Sequence, residues 1–155
     1  EGGFRVPFIA RWPGRIAAGV TTRAFATAMD LFPTFVNLAG GKAPADRVMD
    51  GVDLAPALFK NEPGRGPLLF YYFNEEVFAV RQGPWKIHLK TLSPSATAKW
   101  GDWPVTEHNP PLLFNVETDP GEKYDLAAAH PEIVAELQQL IVRHNAAMKP
   151  GEVQK

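Results

Sequence analysis

The sequence predicts an α+β chain. One strand and helices occupy residues 1–66, and a small four-stranded antiparallel sheet with a packed C-terminal helix occupies residues 67–155. Three observations carry this prediction. An apolar run from Val6 to Trp12 is fed by Gly2-Gly3 and stopped by Pro13-Gly14, which suits a strand buried on both faces. Between Pro67 and Val116, four short β-rich runs stand at turn-length spacing, and an antiparallel meander is the economical topology for them. From Pro131 onward, apolar residues recur every three or four positions, the stripe of a helix lying on a core.

Composition sets the bounds. A chain of 155 residues can bury one respectable core. Its 45% hydrophobic and 21% charged residues are ordinary for a globular protein. The formal net charge of −1 gives no electrostatic case for nucleic acid or an anionic membrane surface. No apolar stretch approaches the length of a membrane span. Fifteen prolines and thirteen glycines fall between apolar clusters and so predict many turns and short elements rather than disorder. Zero cysteines exclude disulfides, thiolate nucleophiles and Cys-based metal sites from these residues.

The elements follow in order. The Val6–Trp12 strand has little later in the chain that looks like a parallel partner. Thr21 to Ala28 is small and polar, a strand or an extended connection. Met29 to Gly40 predicts a helix: Asp30 can cap it, Pro33 fits the first turn, and Gly40 supplies the stop. Leu31, Phe35 and Leu38, broadened by Phe32 and Val36, predict that this helix is mostly buried. Asp53 is the expected N-cap of a short helix, Leu54 to Phe59. Strands are expected at Leu68–Phe73, Val77–Arg81, Trp85–Lys90 and Leu112–Val116. In Trp85–Lys90 apolar and polar residues alternate, which puts His88 on an exposed or half-packed face. Thr91 to Pro111 predicts a long irregular loop holding Trp100, Trp103 and His108. Thr118 to Leu126 is a turn cluster, and His130-Pro131 opens the last helix with proline at its first position. Ile133, Val134, Leu137, Leu140, Ile141, His144 and Met148 share one face of that helix, and Pro150-Gly151 ends it.

The chemistry-bearing residues are sparse. No two of the four histidines show metal-type spacing on one element, and no acidic cluster has the spacing of a calcium loop. His130 reads as a helix-cap neighbour and His144 as a core-edge histidine. Trp100, Trp103, Tyr71 and Tyr72 either form an aromatic platform for a sugar or cover the core of a small sheet. Arg5, Arg11, Arg15 and Arg23 read as a solvated basic face.

Several spaced motifs add a resemblance. Glu1-Gly2-Gly3-x-Arg5-x-Pro7 is followed by Trp12-Pro13-Gly14-x-Ile16, Asp30-Leu31-Phe32-Pro33-Thr34 and Asp50-Gly51-x-Asp53-Leu54. Pro110-Pro111-Leu112-Leu113-Phe114 and Asp119-Pro120-Gly121-Glu122 come later, in the same order. From Glu1 to about Leu126 the chain resembles the late segment of the sulfatase family, in its arylsulfatase A and N-acetylgalactosamine-6-sulfatase branch.

The resemblance implies the C-terminal part of an alkaline-phosphatase-like enzyme, with the edge of a large α/β domain preceding the antiparallel sheet. It implies hydrolysis of aryl or amino-sugar sulfate esters by a formylglycine made within Cys/Ser-x-Pro-x-Arg, beside a calcium ion. Leu92-Ser93-Pro94-Ser95-Ala96 is the one tempting string, and it puts Leu92 at the nucleophile position and Ala96 where arginine is needed. The family's calcium ligands and sulfate-contacting lysine likewise have no matching position. The expectation is therefore no catalytic residue and no metal ligand in these residues, with calcium and formylglycine belonging to the intact parent. The missing N-terminal catalytic domain would be the chain's partner, a sulfate ester the parent's substrate, and the parent's address secreted, periplasmic or lysosome-like.

The family often carries a histidine before Pro-Pro-Leu-Leu, on a loop overhanging the substrate pocket, and His108 matches it. His108 either meets a leaving group or sugar hydroxyl there or simply pins its own loop. The alternative to a fragment completing one wall of that pocket is a free-standing binding or self-assembly module. It would be a homo-oligomer joined through the Val6–Trp12 and Leu31–Leu38 faces.

Overall fold

The computed structural model describes residues 1–62, 64, 66, 68–93 and 103–148. Contacts divide the chain into two units, Arg5–Pro67 and a sheet unit made of Glu1–Phe4 with Leu68–Lys155.

In the Arg5–Pro67 unit the expected strand at Val6–Trp12 is absent, and the run is irregular and exposed, Ile9 at 89%. Backbone N–H and C=O groups in a strand need a neighbouring strand, and among the described residues every strand lies after residue 67. The run ends in a turn, where the amides of Arg15 and Ile16 donate to the Trp12 carbonyl. The Arg15 guanidinium then lies 5.3 Å from the Trp12 ring and 5.1 Å from the Phe59 ring, a cation–π contact at an exposed site.

A 3₁₀ turn, Ala28–Asp30, leads into α1, Leu31–Leu38. Asp30 caps in a different sense from the one expected. It is fully buried, and one carboxylate oxygen accepts the Thr27 amide at 2.6 Å while the other accepts the Val52 amide at 2.8 Å. The Thr34 hydroxyl donates to the Asp30 carbonyl at 2.6 Å and accepts the Leu54 amide at 2.7 Å. These bonds tie the Asp50–Leu54 segment to the start of the helix. They also reverse the expected burial of α1: Pro33 and Thr34 are buried, whereas Phe32 and Phe35 are 52% and 62% exposed. The buried face is the one carrying the hydrogen bonds, and no described residue covers the aromatic one. α2, Ala55–Lys60, starts one residue later than expected, with Asp53 accepting the Ala55 amide at 2.8 Å and the Asn37 side chain at 2.6 Å.

The sheet unit is an antiparallel meander, β1 Leu68–Phe73, β2 Glu76–Gln82, β3 Trp85–Leu92 and β4 Val105–Asn115, in sequential order. Gly83, with φ +59°, makes the tight turn between β2 and β3 that a Cβ would strain. β4 begins seven residues before the expected Leu112, because Val105, Thr106 and Glu107 pair with Leu92, Thr91 and Lys90. Pairing resumes at His88 and Leu112, so residues 108–111 bulge opposite Leu89. Two prolines lack the amide a central strand needs, and a bulge on an edge strand accommodates them. Trp100, Pro94-Ser95-Ala96 and Pro150-Gly151 lie outside the described residues.

α3, Pro131–Ala147, starts with proline at its first position and His130 as N-cap. Val134, Leu137 and Ile141 pack on Val77, Val80, Ile87 and Leu113 from one face of the sheet. His144 stacks on Phe70 at 3.7 Å between ring centres and hydrogen-bonds the Tyr72 hydroxyl, as a core-edge histidine should.

Candidate functional site

The opposite face of the sheet holds the chemistry. Cross-strand registers Tyr71↔Ala79, Arg81↔Lys86, Lys86↔Phe114 and Ala79↔His88 bring Tyr71, Arg81, Lys86, His88 and Phe114 together on it. Alternation alone suggested that this face meets solvent. Instead Lys86 is 2% exposed, because Glu1 and the turn carrying Glu122 cover it. The Lys86 ammonium contacts Glu1 at 3.2 Å and Glu122 at 2.9 Å, and sits 4.3 Å above the Tyr71 ring. The Glu1 carboxylate also takes the Arg81 guanidinium at 3.4 Å and the Tyr71 hydroxyl at 3.3 Å. Glu122 accepts a hydrogen bond from His88 Nε2 at 2.9 Å.

Glu122 reaches this position through backbone geometry. Asp119 accepts the amides of Lys123 and Tyr124 at 2.7 and 2.9 Å, closing a turn in which Glu122 adopts φ +51°. A non-glycine residue there carries strain, which the surrounding bonds must hold in place. Burial pushes the Glu122 carboxyl up, but the hydrogen bonds from His88 and Lys86 and the Lys86 charge outweigh it, and the group sits far below the usual carboxylate range. Burial first, then the Glu1 charge, pushes the Tyr71 hydroxyl up, so it stays protonated and donates. Separating such buried ions from water is costly, and removing one partner leaves another uncompensated.

Beside this cluster, His88, Thr91, Leu112, Phe114, Gly121 and Glu122 line a groove of about 260 Å³. His108 is not among the lining residues but bonds one of them: half-buried on β4, its Nε2 lies 2.9 Å from the Thr91 hydroxyl. The arrangement offers hydroxyl, imidazole and carboxylate groups above an apolar floor, suited to hydrogen-bonding a polar, uncharged part of a ligand. Tyr71 is buried and Tyr72 is tied to His144, so these two rings form no common sugar platform. Trp103 is half-buried. His130 packs its ring on Trp85 at 4.9 Å. The sequence reading missed Glu1, Arg81, Lys86 and Glu122 as one group, since they meet across up to 121 positions.

Comparison with known proteins supplies the context. The family described as "C-terminal region of aryl-sulfatase" matches residues 65–155, and "N-sulphoglucosamine sulphohydrolase, C-terminal" matches residues 1–91. The chain belongs to the sulfatase family. Bovine (Bos taurus) arylsulfatase A is 39% identical over 172 residues, covering 99% of this chain and 34% of the relative. Mouse (Mus musculus) N-acetylgalactosamine-6-sulfatase is 35% identical, covering 99% and 33%. The chain thus spans about a third of the length of the curated relatives it matches. The crystal structure of PsFucS1 sulfatase from Pseudoalteromonas sp. superposes with a TM-score of 0.80 at 24% identity, over 95% of this chain and 30% of that one, a likeness of fold.

Sulfatases imply calcium and formylglycine, and these residues do not fit either. Among the described residues no three His, Cys, Asp or Glu side chains converge as a metal site. Both carboxylates of the buried cluster are already saturated by cations, and the chain has no cysteine and no serine within Ser-x-Pro-x-Arg to modify. Among the described residues no helix is long and apolar enough to cross a membrane.

Proposed function

We propose that this chain is the C-terminal third of a sulfate-ester hydrolase and forms one wall of its substrate pocket, with nucleophile and calcium ligands supplied by the upstream two thirds. The observation that carries the reading is the match along 99% of the chain to a third of arylsulfatase A and N-acetylgalactosamine-6-sulfatase. The exposed rings of Phe32 and Phe35 and the bare Val6–Trp12 run fit a surface that the upstream part covers. The groove at His88 and Thr91, with His108 bonded to Thr91, is the pocket wall in this reading, and His108 meets the non-sulfated part of an aryl or amino-sugar sulfate ester. By itself the chain does not turn over substrate.

The test is His108→Ala in the enzyme extended by its upstream sequence. Loss of one polar contact to substrate lowers kcat/KM by about tenfold while the melting temperature stays unchanged. Unaltered kinetics contradict the role of His108.

A second reading rests on the same exposed rings. Alone in solution, the chain self-associates through the aromatic face of α1, and a clean monomer by light scattering at high concentration counts against it.

A further inference from the structure

The groove beside the buried cluster holds one side-chain acceptor that the fold leaves unused. Of its polar lining side chains, Thr91 bonds His108, and Glu122 Oε1 takes both Lys86 Nζ and His88 Nε2 at 2.9 Å. Among the described residues nothing hydrogen-bonds the second ring nitrogen of His88, Nδ1.

The ring of His88 is fixed on two sides. β3 places the residue opposite Ala79 and Leu112, and Phe114 meets its ring nearly at right angles, 5.7 Å between centres. Glu122 holds Nε2 from the other side, and the Lys86 ammonium, shared on the same oxygen, keeps that carboxylate ionised and in place. A carboxylate only accepts, so the nitrogen that meets it carries the hydrogen. The neutral ring then presents Nδ1 as a lone-pair acceptor. Such an acceptor is satisfied by an O–H or N–H group, and not by a sulfate oxygen or a bare aromatic ring.

We propose that His88 is a specificity-determining residue of the substrate pocket, whose Nδ1 accepts a hydrogen bond from a hydroxyl or amide N–H of the substrate. Glu122 is its positioning residue, setting the tautomer and the angle of the ring. The inference rests on the groove being a wall of that pocket, and it adds a substrate class: sulfate esters that carry a hydrogen-bond donor near the ester group. A site that holds a fixed acceptor rejects the analogue without the donor, because the acceptor is then left unpaired.

The test compares two aryl sulfates in the enzyme extended by its upstream sequence. Nitrocatechol sulfate has a hydroxyl beside the ester, and nitrophenyl sulfate has none. The readout is the ratio of their kcat/KM values, which does not depend on how much of a variant is folded. His88→Gln keeps an N–H for Glu122 and removes the acceptor at Nδ1, and the ratio falls about tenfold. His88→Asn returns a carbonyl oxygen near the Nδ1 position, and the ratio recovers. An unchanged ratio in His88→Gln overturns the inference, since a residue that only braces Glu122 affects both esters alike. An equal fall in both variants overturns it too. His108→Ala separates the two levels of failure. If it lowers kcat/KM while His88→Gln leaves the ratio unchanged, the wall stands and the role of His88 falls. If neither variant alters the kinetics of either ester, the wall itself falls, and the inference with it.

Discussion

Gly51 shows how tightly one residue can be specified. A Cβ there would lie 2.1 Å from the Met29 carbonyl oxygen, a backbone atom that cannot swing aside. Gly51→Ala must push away the segment that delivers the Val52 amide to Asp30, and an expected loss of about 2 kcal/mol is measurable by urea denaturation. Glu122 makes the second residue-scale prediction. Its carboxyl is held below its ordinary value of 4.5 in the folded chain, so its stabilisation is complete above that pH and is lost as the pH falls below it. The melting temperature should hold between about pH 7 and 5 and drop below, and Glu122→Gln should blunt the drop while costing about 2 kcal/mol at neutral pH. An equal drop in both proteins contradicts the assignment. Little of this was legible beforehand. Asp30 reads as a cap because aspartate favours caps, yet one of its partners, the Val52 amide, lies 22 positions away, and Lys86 reads as solvent-facing because alternation cannot see what covers a sheet.

At the scale of elements, legibility followed local signals. β1 falls on its predicted Leu68–Phe73, and α3 begins at its predicted proline, because turn residues and a 3.6-residue stripe specify both ends or one face. Where the sequence misled, partners decided. Val6–Trp12 has strand-like residues but no neighbouring strand, and β4 runs through Pro110-Pro111 because an edge position and a bulge tolerate missing amides. The stripe of α3 is the test of packing. Leu137 is 2% exposed among Val80, Ile87 and Leu113, and Leu137→Ala should cost about 3 kcal/mol. A cost under about 1 kcal/mol would mean that the helix is not seated on this core.

At the scale of the molecule, the two units differ in completeness. The sheet unit has a core and a covered polar face, whereas α1 of Arg5–Pro67 turns phenylalanines to solvent. The spaced motifs made family membership legible in the sequence, and one of them, Asp119-Pro120-Gly121-Glu122, is the turn that the Asp119 carboxylate closes by accepting two amides. The groove beside His108 was not legible. It depends on a β4 pairing that two prolines obscured. The central claim is that the wall is here and the reacting groups are upstream. Hydrolysis of a chromogenic aryl sulfate by this purified chain with calcium added tests it most directly. The account predicts no turnover above buffer. Turnover that disappears in His108→Ala would contradict it and place the chemistry within these 155 residues.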